Sequence, residues 1–138
     1  MPTALMTGPL LVFDGDCAFC TSSVLWLGRR FPDGFTAVPY QRVDLDRLGL
    51  TERECHDRVQ WIADAQAPRT SARESGARAV GALLRAGGRA RHDLVGTLWA
   101  AAGVLPFVPP TSWAAERVYR VVAANRTRLP GGTPACAA

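Results

Sequence analysis

The sequence predicts an α/β fold with a β-α-β-α-β-β-α core and two additional C-terminal helices. Three observations carry that prediction. Apolar runs of strand length alternate with helical patterns through the first half of the chain, and the longest helical periods fall after residue 75. Turn clusters such as Pro32-Asp33-Gly34 separate them. The 138 residues are enough for a single domain that buries a core without disulfide staples.

Residues 1–8 read as a loose lead-in and 9–13 as the first strand, which runs through a Gly15 turn into a helix over 17–30. Phe31-Pro32-Asp33-Gly34 stops that helix. Residues 35–40 form a second strand, and Pro39, lacking an N–H, implies that it is an edge strand or ends early. Residues 44–57 make a helical crossover in two pieces: Leu45, Leu48 and Leu50 space the first, and Thr51 with Glu54 forms a capping box for the second. A third strand over 59–63 is followed by a turn and a fourth strand at 69–72. Ala79, Val80, Leu83 and Leu84 then repeat helically from residue 75 to 85, and Gly87-Gly88 ends that helix. Asp93 caps a buried helix over 94–105. After Pro106, Pro109 and Pro110, Thr111 or Ser112 caps a last helix reaching Arg126, with Ala114, Val118, Val121, Val122 and Asn125 on one face. Residues 93–128 are thus a helical extension, and 129–138 an irregular tail.

Composition excludes more than it identifies. All 16 basic residues are arginine, so lysine Schiff-base chemistry and a phosphate-binding P-loop lysine are excluded. Residues 1–69 hold seven arginines against nine acids and 70–138 nine against three, giving −2 and +6. The arginines of the second half are dispersed, which reads as a solvated surface and predicts no nucleic-acid partner. Leu94 to Ala115 is free of charge, but its prolines leave a helix shorter than the roughly 20 residues that span a bilayer, so no transmembrane span is expected. Nor does Met1-Pro2-Thr3-Ala4-Leu5-Met6 place positive charge ahead of an apolar segment, and a cytoplasmic location is expected. In that reducing compartment, Cys-x-x-Cys indicates redox or metal chemistry rather than a permanent bridge.

Cys17 and Cys20 are the chemical focus. A helix N-terminus presents unpaired N–H groups and the positive end of the helix dipole, which favour a thiolate at Cys17. Cys20, Val24, Leu27 and Phe31 fall on one apolar stripe, while Cys17 lies a turn back at an exposed tip. That phase predicts Cys17 as the attacking thiol and Cys20 as the resolving one, close enough for a strained, reducible disulfide.

Asp14-x-x-Cys17-x-x-Cys20, after an apolar strand ending Val12-Phe13, resembles the motif of the DCC-type thiol-disulfide oxidoreductases. A second stretch, Val118-Tyr119-Arg120-Val121-Val122-Ala123-Ala124-Asn125-Arg126, is similar to that family's C-terminal helix, and Cys136 stands where members often carry a last cysteine. The resemblance implies a thioredoxin-like fold, thiol-disulfide exchange with a client protein or small thiol, and no bound cofactor. It also implies a function for Asp14, read as accepting the proton of Cys20 during resolution. Tyr119, Asn125, Arg126 and Cys136 become candidate modulators: Asn125 and Arg126 by bonding loop carbonyls or holding Asp14, Cys136 by exchanging electrons with the pair or bonding another molecule. Asp16, whose charge opposes a thiolate beside it, is read as a helix cap or a modulator of potential.

The competing reading is a zinc-binding or redox-sensitive interaction module that retains the fold. Its ligands would be Cys17, Cys20, Cys55 and His56, although the last two are adjacent and diverge. Cys55 is otherwise a small buried residue. One departure bears on clients. Thioredoxins carry a cis-proline just before the third strand, where the backbone pairs with substrate, whereas here Asp57-Arg58 precedes Val59 and Pro68 follows. Either another surface receives the client or the site is a poor general reductase.

Overall fold

A computed structural model describes residues 6–126. It comprises β1 (Leu10–Phe13), α1 (Ala18–Arg30), β2 (Thr36–Pro39), a 3-10 turn (Tyr40–Arg42), α2 (Leu45–Leu48) and α3 (Glu52–Asp57). Then come β3 (Gln60–Ile62), β4 (Arg73–Ser75), α4 (Ala77–Arg91), α5 (Leu94–Ala102), a second 3-10 turn (Leu105–Phe107) and α6 (Thr111–Ala124). With α2 and α3 together as the crossover, the element order is the predicted one. The four strands form one mixed sheet in the order β2-β1-β3-β4, with β1 parallel to β2 and the other pairs antiparallel, consistent with a thioredoxin-like α/β fold.

The alternation of a strand's side chains divides the core in two. Leu10 and Val12 of β1 join Val38, Leu48, Cys55 and Ile62 on one side of the sheet, while Leu11 joins Phe31, Trp61, Ala79 and Leu83 on the other. Val24 and Leu27 of the α1 stripe pack against that second cluster. Pro39 does lie on an edge strand, and the Thr51–Glu54 capping box is present. Asp93 caps α5 by accepting the Gly96 N–H at 2.6 Å.

Four expectations are corrected. The fourth strand begins at Arg73, because residues 69–72 are occupied by the turn that precedes it. Gly87 and Gly88 do not end α4, which continues to Arg91. They are there for close approach: a Cβ on Gly87 would lie 2.6 Å from Phe31 Cγ, and one on Gly88 2.3 Å from the Gly96 carbonyl oxygen. The helix from residue 94 ends at Ala102 and is not buried, since Leu94 is 74% and Leu98 62% exposed. It meets α4 through Gly96 and sends Trp99 against Phe31, so its larger aliphatic side chains face away.

The last correction concerns α6. Neither Thr111 nor Ser112 caps it: the cap position is Pro110, and the Thr111 hydroxyl donates to the Leu105 and Val108 carbonyls. Its expected packing face is reversed as well, with Val118 63% and Val121 62% exposed. The inward positions are those of Tyr119, Ala123 and Arg126, chosen by polar bonds that hydropathy does not register. No single described helix is long and apolar enough to cross a membrane. Residues of α5 to Phe107 and α6 pass that test only together, as a pair bent by 92°.

The glycine contact yields a prediction. Gly88→Ala adds helix propensity worth about 1 kcal/mol, but the new methyl forces α4 and α5 apart at a cost of about 3 kcal/mol. A net loss of about 2 kcal/mol is expected, read as a lower urea midpoint with an unchanged slope.

Candidate active site

The apolar β1 ends at Asp14, and the Gly15-Asp16 turn delivers the chain to α1 with Cys17 at its N-cap. There the Cys20 N–H donates to Cys17 Sγ at 3.3 Å, so sulfur occupies the capping role usually filled by oxygen. Asp16 is therefore not the cap. Its own N–H donates to Asp14 Oδ1 at 3.0 Å, and its carboxylate accepts from Gln41 Nε2 at 3.1 Å. The turn is seated tightly, because a Cβ on Gly15 would fall 2.5 Å from Pro39 Cβ.

Exposure of the two cysteines is the reverse of the expected order. Cys17 is 1% exposed, whereas Cys20 is half-buried and lines a cavity of about 540 Å³. Phe19 and Trp26 of α1, Val80 and Leu83 of α4, and Tyr119 and Val122 of α6 contribute to its largely apolar wall. Helical phase had placed Cys17 at an open tip; it could not register the packing of the turn against the segment after β2.

Asp14, 6% exposed, gathers the polar side of the site. Gln41 Nε2 donates to it at 2.9 Å, His56 Nδ1 lies 3.3 Å away, and Arg126 Nη2 lies 3.4 Å away. Arg126 also donates through Nη1 to Cys20 Sγ at 3.7 Å, linking the carboxylate to the sulfur. Burial pulls the Arg126 pKa down, but Cys20, Cys17 and Asp14 around it outweigh that and raise it, so the guanidinium stays charged.

Tyr119 reaches the same place by another route, its hydroxyl oxygen accepting the Val59 N–H at 2.9 Å. Burial raises its pKa, with the Val59 N–H and Arg58 opposing, and the phenol remains neutral. Arg58 is ion-paired with Glu116 and lies over the Tyr119 ring. Asn125 does not join the site: its side chain donates to the Val121 carbonyl of its own helix. Cys136 lies outside the described residues.

The zinc set is not assembled, since among the described residues no group of three or more His, Cys, Asp or Glu side chains is placed to hold a metal ion. Its members go separate ways. His56 turns to Asp14, and Cys55 is buried in the core, where desolvation, aided by Glu54 and opposed by Arg73, pushes its thiol to about 11. Cys55 should consequently remain unmodified when the folded protein is treated with iodoacetamide at neutral pH. Peptide mass mapping checks this, and labelling of Cys55 at the rate of a free thiol would contradict it.

A family model described as DCC1-like thiol-disulfide oxidoreductase matches residues 11–132. The chain belongs to that family. Comparison with curated proteins and with solved structures returned no match. In this DCC1-like chain, the first motif and the last helix meet in space through Arg126, which touches both Asp14 and Cys20. Sequence reasoning missed Gln41 and read His56 only as a ligand. A signal for Gln41 existed, because parallel pairing of Phe13 with Pro39 sets residue 41 opposite residue 15, and the Gly15 N–H donates to Gln41 Oε1 at 3.0 Å.

Proposed function

We propose that the chain is a thiol-disulfide oxidoreductase in which Cys17 and Cys20 alternate between dithiol and disulfide. The observation that carries this reading is the Cys20 N–H bonded to Cys17 Sγ across one helical turn, which keeps the sulfurs together and solvates a thiolate at Cys17. Both electrons reside on the two sulfurs, so the exchange needs no bound cofactor.

Access and charge divide the labour. Cys20, facing the cavity beside Arg126, attacks a client disulfide, and the sulfur it displaces leaves as a thiolate and takes a proton from solvent. The Cys17 thiolate then attacks Cys20 Sγ, expels the second client sulfur and closes the Cys17–Cys20 disulfide. Two electrons pass to the client. This order reverses the one expected from helical phase. Asp14 is assigned a positioning role rather than proton transfer, because Gln41, the Asp16 N–H, His56 and Arg126 already surround its oxygens. The cytoplasmic placement is kept as part of the reading.

Equilibration against graded mixtures of reduced and oxidised glutathione, followed by acid quench and alkylation, tests the proposal. The expected result is a reversible two-electron couple confined to Cys17 and Cys20 and absent from each serine variant. Stoichiometric zinc on the purified protein, or a pair that never oxidises, would defeat it.

A further inference from the structure

Resting on that reading, we infer that the disulfide received at Cys20 is a small, neutral, apolar molecule rather than a protein segment or a charged thiol such as glutathione. Three features of the cavity favour this class.

The first is backbone closure. In an extended-peptide complex, the stretch before β3 would offer the client free N–H and C=O groups. Here the Val59 N–H is taken by Tyr119 and the Val59 carbonyl by the Gly76 N–H at 3.0 Å, and Arg58 and Val59 themselves line the cavity. A peptide laid there would have to break bonds already made. The second is shape. The reachable sulfur lies in the wall of a concavity of about 540 Å³, within the range of roughly 300–1,000 Å³ usual for small-molecule sites. A small ligand enters such a space readily, whereas a disulfide on a folded surface reaches it only if its segment is extruded.

Charge is the third. Among the described residues two guanidinium groups border the cavity, and each has an internal acidic partner: Arg58 with Glu116, and Arg126 with Asp14. His56, which also lines the cavity, lies against Asp14 as well, so among the described residues each basic group there already faces a carboxylate, while the aromatic and aliphatic wall rewards burial of an apolar body. At the pair, one ligand S–S bond is cleaved, two ligand thiols are released, and one Cys17–Cys20 bond forms.

The test uses the reduced full-length protein and three disulfides: dithiodipyridine as the small apolar probe, oxidised glutathione, and insulin. Each rate constant is divided by that of the same disulfide with free dithiothreitol, which removes intrinsic reactivity. The normalised value for dithiodipyridine should exceed the other two by about tenfold or more, a discrimination within reach of an apolar pocket. Val122→Trp and Ser22→Trp, two independent ways of filling the cavity from exposed positions on its lining, should each erase the preference. Equal normalised rates, or a preference that survives both fillings, would overturn the inference. The glutathione equilibrium separates the two levels: a reversible couple without selectivity sinks only the ligand class, and absence of the couple sinks the oxidoreductase reading with it.

Discussion

A Cys17→Ser variant mixed with a disulfide substrate should stop after one chemical step and retain half of the substrate covalently on Cys20. Turnover is expected to fall by about 10³-fold or more, the scale seen when one member of a reacting group is removed. The reason is positional. Cys20 can be reached from the cavity, but with Cys17 gone no other cysteine among the described residues lies within a helical turn to release the adduct. Cys20→Ser should lose turnover to the same extent yet retain nothing on the pair, because Cys17 is 1% exposed. Intact mass before and after dithiothreitol, with peptide mapping of the adduct, distinguishes the two variants. A stable adduct on Cys17 in the Cys20→Ser protein would return the attacking role to Cys17 and require the turn around Gly15 to open during catalysis.

Which parts of this site were readable in the chain follows from what each signal measures. Periodicity registers local phase, so the order of elements, the edge position of Pro39 and the α1 stripe through Phe31 came through. Capping is equally local, hence the success at Thr51 and Asp93. Signals that depend on a distant neighbour did not survive. Gly87-Gly88 carries the composition of a helix stop, yet the pair lies within α4 because Phe31 and Gly96 need the room. The valines of α6 carry the composition of a core face, yet Tyr119 and Arg126 turn the helix the other way through bonds to Val59, Asp14 and Cys20. The exposure of Cys17 failed for the same reason: it is set by how the turn packs against Pro39 and Gln41, far along the chain. Asp14, Cys20 and Arg126 were nevertheless all named from sequence, because motif spacing preserves chemistry even where helical phase misplaces a face.

Their triangle makes the second large effect predictable. In Asp14→Ala the buried partner of Arg126 disappears, and the guanidinium, its side chain only 18% exposed, loses its ion pair while Gln41, His56 and the Asp16 N–H lose an acceptor. Breaking a buried pair from one side costs about 3–5 kcal/mol; with Gln41 still bonded to Asp16 and Arg126 partly wet, about 2–4 kcal/mol is expected. Arg126→Met should cost less, about 1–2 kcal/mol, because His56 and Gln41 continue to serve the carboxylate. Stability alone does not separate scaffolding from positioning, so the decisive readout is the sulfur. Arg126→Met removes the cation 3.7 Å from Cys20 Sγ, and the alkylation rate of Cys20 at neutral pH should fall by about tenfold in that variant, with Arg126→Lys recovering part of it. A Cys20 that reacts at the wild-type rate in a folded Arg126→Met protein would reduce the Asp14–Arg126 pair to a structural tie, and the link between the chain's two motifs would then carry packing instead of chemistry.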